Sequence, residues 1–94
     1  MKYISNAKYG EPVETGNIYR SYDKRLDICV HKICGCGETL YMNCQALNIR
    51  DRKLSSTSVI AAINEAQSLV KRELDLLSKD LNSILNSEIE ISRY

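Results

Sequence analysis

Five side chains able to ligate a metal or attack a substrate fall within sixteen residues of the sequence: Cys29, His31, Cys34, Cys36 and Cys44. Zinc takes four thiolate or imidazole donors in a tetrahedron, and a glycine-containing turn such as Cys34-Gly35-Cys36-Gly37 presents such donors readily. Two thiolates from that turn, completed by His31 or Cys29 and by Cys44, make one candidate set. Spacing counts against it, because structural zinc sites pair cysteines as C-x2–4-C and the closest pair here is C-x-C. The competing reading is three small buried hydrophobes and one turn thiol, the ordinary condition of free cysteine. The same C-G-C pair suits redox or sulfur-transfer chemistry, which requires a thiol of lowered pKa. Cys29 or Cys36 beside His31 also supplies a nucleophile and a base, with Glu38 or Asp27 to orient the imidazole. Such a unit needs an oxyanion site too. The sequence holds no glycine-rich phosphate loop, no paired helical histidines and no nucleophile elbow. The expectation is a protein that is not an enzyme and keeps no cofactor, with a small zinc-binding module as an alternative.

A second group of residues suits nucleic acid. Tyr19, Arg20, Tyr22, Lys24 and Arg25 interleave aromatic rings with cations, and Arg50, Arg52 and Lys53 form another basic group. Tyrosines on a sheet surface stack on unpaired bases while nearby cations hold the phosphates. Tyr19 and Tyr22 differ by three, so a regular strand points them to opposite faces, which weakens a shared platform. The alternative is a solvated sheet face with one tyrosine in the core.

The elements that must position these residues divide near Leu54. Residues 1–54 hold every Gly, Pro and Cys, and carry nine basic and six acidic residues, net +3. Residues 55–94 carry four basic and six acidic residues, net −2, so the formal charge of +1 is a cancellation. In the first half, Asn17–Tyr22 reads as a strand, Asp23–Arg25 as its turn, and Leu26–Lys32 as an alternating strand. Leu26, Ile28 and Val30 share one face there, and Asp27, Cys29 and His31 the other. Gly35-Cys36-Gly37 is a turn signal, and Thr39–Arg50 resumes alternation with Leu40, Met42, Cys44 and Ala46 on one face. With no Phe or Trp among the 94 residues, the core must come from Ile, Leu, Val and Met.

The second half is a helix. Ser55-Ser56-Thr57-Ser58 offers N-caps, and no Gly or Pro interrupts the chain after Gly37. Ile60, Gln67, Leu74 and Leu81 fill one seam position of a heptad, and Ile63, Val70, Leu77 and Ile84 the other. The fold class is therefore α+β within a single domain spanning 1–94: an antiparallel β-meander of three to four strands over 1–54, then one long amphipathic helix over 55–87. The alternating tail, 88–94, offers a short last strand.

Length turns this architecture into a functional expectation. About 30 residues make a helix roughly 45 Å long, whereas four strands side by side span about 19 Å and a strand of nine residues about 30 Å. The sheet covers at best about two-thirds of such a helix, and Leu81, Ile84 and Leu85 must be buried elsewhere. Those eight seam residues are thus candidates for self-association as a homo-oligomer or for docking on a partner protein. The positions flanking the seam are poor in complementary charge, favouring a small bundle over a two-stranded zipper. The alternative is an ordinary core helix on its own sheet. No apolar run reaches the roughly 18 residues of a membrane span, and the start has no continuous apolar stretch of the export type, so the cysteines are expected reduced in a cytoplasmic setting. The expected function is a small intracellular inhibitor, adaptor or regulator acting by contact. Phage-encoded inhibitors of host defence are one group of that kind, and nucleic-acid binding by the basic sheet half is the main alternative.

Overall fold

The computed structural model describes residues 1–33 and 37–93. Five strands, β1 (Tyr3–Ser5), β2 (Ile18–Ser21), β3 (Ile28–His31), β4 (Tyr41–Cys44) and β5 (Ile49–Lys53), pair antiparallel in sequence order. A single helix, α1 (Val59–Leu85), follows. This is the expected α+β meander-plus-helix, with five strands in place of three to four and β1 and β5 as its two edges. Cys34-Gly35-Cys36, the heart of the expected turn, lies outside the described residues.

Local chemistry sets each reversal. After β2, the Asp23 carboxylate accepts from the Arg25 amide at 2.9 Å, and Ser21 Oγ accepts from the Ile28 amide at 3.0 Å, closing the β2–β3 turn. The alternation expected to run from Thr39 to Arg50 is interrupted. A short 3-10 turn, Gln45–Leu47, leads to Asn48 in the left-handed region at φ 56°, where Asn is tolerated, and the chain reverses into β5.

Registry divides the sheet into two faces. Tyr19 pairs with Val30, Val30 with Met42, and Ile28 with Cys44, so these residues share the face under the helix. They form the core with Leu40, Leu54, Val59, Ala62, Ala66 and Val70. Two alanines at the contact let the helix approach the sheet closely, which compensates for the missing large aromatics.

The helix begins at Val59, later than residue 55, because the four preceding residues are spent on its entry. Ser58 caps it by accepting from the Ala61 amide at 3.3 Å. Glu65 reaches back to accept from the amides and hydroxyls of both Ser55 and Ser56 at 2.8–3.1 Å. Ser87 Oγ donates to the Ile84 carbonyl at 2.6 Å at the far end, and residues 88–93 form no strand. The 27 residues of α1 rise over roughly 40 Å. Its buried residues are Val59, Ala62, Ala66 and Val70, all before its midpoint. The rest projects, giving a molecule 61 Å long and only 26 × 22 Å across.

Candidate interaction surfaces

From Leu74 onward no helix residue is buried, and beyond Leu77 the apolar stripe runs clear of the sheet. Leu74, Leu76, Leu77, Leu81, Ile84 and Leu85 are 38–79% exposed. At 100° per residue, Leu77, Leu81 and Ile84 lie within about 60° of Ala66, so the uncovered face is the one that Ala66 presses on the sheet. The structure thus divides the eight seam residues. Val70 is buried in the core, Ile63 and Gln67 are half-buried, and Ile60, Leu74, Leu77, Leu81 and Ile84 face outward. Val70 is accordingly a core residue rather than part of a free seam.

Two clefts extend the seam along the β1–β2 side of α1. One, of about 430 Å³, lies between Ile60, Ile63 and Gln67 of the helix and Met1, Tyr3 and Val13. The other, of about 250 Å³, lies between Gln67, Val70 and Leu74 and Met1, Leu26 and Ile28. Met1 and Gln67 line both, so the two clefts join end to end. In this groove the Tyr3 hydroxyl is buried without a hydrogen-bond partner, and burial raises its pKa, opposed by Gln67 beside it. No periodicity marks Met1 or Tyr3 in the sequence, because a three-residue edge strand carries too short a pattern.

The opposite, open face of the sheet holds Arg20, Cys29, His31, Tyr41, Asn43 and Lys53 by register. His31 is nevertheless only 1% exposed. Its ring stacks on Tyr41 with centroids 5.9 Å apart, and Nε2 lies 3.1 Å from Asp51 Oδ1 without the alignment of a hydrogen bond. The Ile33 amide donates to its Nδ1 at 3.4 Å. Both nitrogens therefore face groups other than Cys29. The thiol of Cys29 is buried, and burial pushes its pKa up against the opposing pull of Arg20. A neutral, buried thiol with no facing base is the inert state. A polar hollow of about 320 Å³ beside it is lined by Arg20, Asp27, Cys29, Asn43, Arg50 and Asp51. Its opposite charges largely answer one another, with Arg20 Nη1 3.8 Å from Asp27 Oδ1.

Of the metal-ligand candidates, Cys44 is separated from Cys29 and His31 by the sheet. Cys44 lies under the helix, its Sγ donating to the Leu26 carbonyl at 3.3 Å, while Cys29 and His31 occupy the other side of the sheet. Cys34 and Cys36 lie outside the described residues. Among the described residues no group of three or more His, Cys, Asp or Glu side chains is placed to hold a metal ion.

The nucleic-acid set is likewise divided. Tyr19 is a core residue, and its hydroxyl donates to the carbonyls of Glu14 at 2.7 Å and Gly16 at 2.6 Å, so it is unavailable for stacking. Tyr22 and Lys24 are exposed at the β2–β3 turn, and Arg25 is tied to Asp23 at 2.8 Å. Arg52 lies on the helix side, in a cleft with Glu73 and Leu77. Arg20, Arg50 and Lys53 remain at the open face. The eight residues do not form one surface.

No helix among the described residues is long and apolar enough to cross a membrane. No family model matches the chain, and neither a curated protein nor a solved structure matches it.

Proposed function

We propose that the chain is a non-catalytic protein-interaction module whose docking element is the half of α1 that projects beyond the sheet. One observation carries this reading: the apolar stripe continues past Val70, the last buried residue of the helix, and leaves six Leu and Ile side chains 38–79% exposed, of which only Leu74 and Leu77 still border clefts against the sheet. A stripe of that kind is the recognition element of helix-in-groove and helix-bundle contacts. Exposed apolar area of this order on a small monomer marks a contact surface. Inhibition, adaptor function or regulation then follows from occupying a surface, with no chemistry required of the Cys29–His31 face.

The test separates docking from folding. Leu81 is already about half exposed, so Leu81→Asp is expected to change unfolding free energy by no more than about 0.5 kcal/mol. The same change places a charge inside the docked interface and is expected to weaken association at least about 100-fold, equivalent to roughly 2.7 kcal/mol. Light scattering over a concentration series, with affinity capture from a host extract, reads both self-association and foreign partners. A wild-type chain that stays monomeric and captures nothing beyond what Leu81→Asp captures overturns the reading.

A further inference from the structure

We propose that the occupant of this surface is a second copy of the chain, running antiparallel, with each projecting helix end seated in the other copy's groove between α1 and the β1–β2 side of the sheet. The inference rests on the docking reading above and adds the partner and its orientation.

Charge decides between orientations. Residues 74–94 contain Lys79 and Arg93 against Asp75, Asp80, Glu88 and Glu90, net −2, whereas residues 1–73 carry eleven basic and eight acidic residues, net +3. A parallel pair sets the two −2 segments side by side. An antiparallel pair keeps the two −2 segments at opposite ends of the dimer and avoids that repulsion.

Dimensions agree. The joined clefts follow the helix from Ile60 to Leu74, a rise of about 21 Å. The projecting stripe from Leu74 to Leu85 rises about 17 Å and fits within that length. The register that sets Ile60 opposite Ile84, Ile63 opposite Leu81, and Gln67 opposite Leu77 is symmetric about residue 72. It closes as a two-fold pair in which every seam position meets one of the partner's. Gln67 then lies midway along the groove, where its two clefts join and a polar seam residue restricts register. Six half-exposed aliphatic side chains per copy, Ile60, Leu74, Leu77, Leu81, Ile84 and Leu85, offer on the order of 500 Å² each way. The total of about 1,000 Å² is the lower limit for a specific interface, and so the dimer is expected in the micromolar range.

Disulfide trapping tests the orientation. In a full-length background with Cys34→Ser and Cys36→Ser, the remaining native thiols Cys29 and Cys44 are buried. Ile60→Cys and Ile84→Cys are then introduced separately, both at exposed positions that leave the core intact. Each protein is oxidised alone and after mixing. The expected result is a covalent dimer in the mixture, at least several-fold above that of either protein alone. Efficient self-linking of Ile84→Cys alone identifies a parallel pair and overturns the proposal. So does a mixture that fails to link at concentrations where light scattering shows a dimer. A chain that is monomeric at every concentration, yet captures a foreign protein in a Leu81-dependent way, also overturns it while leaving the docking reading standing.

Discussion

Glu65 is a helix residue that acts on the chain preceding its helix. Four donors from Ser55 and Ser56 converge on its carboxylate and hold its pKa down to about 2, with the Ser55 amide the largest influence. The sign of the resulting pH dependence follows from linkage. Its folded pKa lies below the unfolded value of about 4.3, so the contribution is complete above that pH and is lost as pH falls toward 2. Glu65→Gln is expected to cost on the order of 1 kcal/mol at neutral pH, the value of a part-exposed charged hydrogen-bond set. It should also flatten the fall of Tm between about pH 4.3 and 2. Thermal melts of both proteins across that range check it, and parallel curves contradict the assignment. Asp23, which Arg25 likewise holds near 2, titrates in the same window and supplies the slope that remains. At this same scale, Cys44 parts from Cys29 and His31 for a simple reason. Strand alternation had already put Cys29 and His31 on one face, and the β3–β4 register then placed Cys44 opposite Ile28, on the other.

At the scale of the element, α1 is two helices in one. Over residues 59–70 its hydrogen bonds are backed by the core, and beyond Leu77 they rest on local propensity alone. Helices of about a dozen residues are marginal in water without packing. Amide exchange is therefore expected to be fast over 74–85 in dilute protein and to slow by at least about tenfold as concentration rises, while 59–70 stays unchanged. Protection over 74–85 that is already high at the lowest concentration measured contradicts an unpartnered extension. How much of this could be read beforehand depended on burial. Tyr41–Cys44 alternates because one face is packed, and the helix shows its stripe for the same reason, whereas Ile28–His31 is buried on both faces and its alternation gives no sign that Cys29 and His31 are covered as well. β5, Ile49-Arg50-Asp51-Arg52-Lys53, has one half-buried residue followed by four exposed ones. As an edge strand it is held by backbone hydrogen bonds, which leave no mark on side-chain pattern. The eight-residue seam was legible. Its division at Val70 was not, because where the sheet ends is a tertiary fact.

Taken whole, the molecule is far more extended than its length requires. A compact chain of 94 residues has a radius of gyration of about 12 Å, against the 17.3 Å observed. An overlapping antiparallel pair fills the space beside each projecting end. Mass should therefore double while the longest dimension of 61 Å grows far less than twofold. Small-angle scattering across the association range measures both quantities. A long dimension that nearly doubles with mass indicates end-to-end contact and contradicts the overlap.

Because burial along α1 stops at Val70, the projecting residues that meet a partner lie beyond those that hold the fold together, on one continuous rod. Proteins sit close to a stability threshold, and most changes in a shared core exhaust that margin. Here, substitutions from Leu74 to Leu85 alter recognition while the sheet and its helix seat stay as they are. The projecting end is thus free to follow a changing binding surface over evolutionary time, and a lineage can exchange specificity without refolding its scaffold.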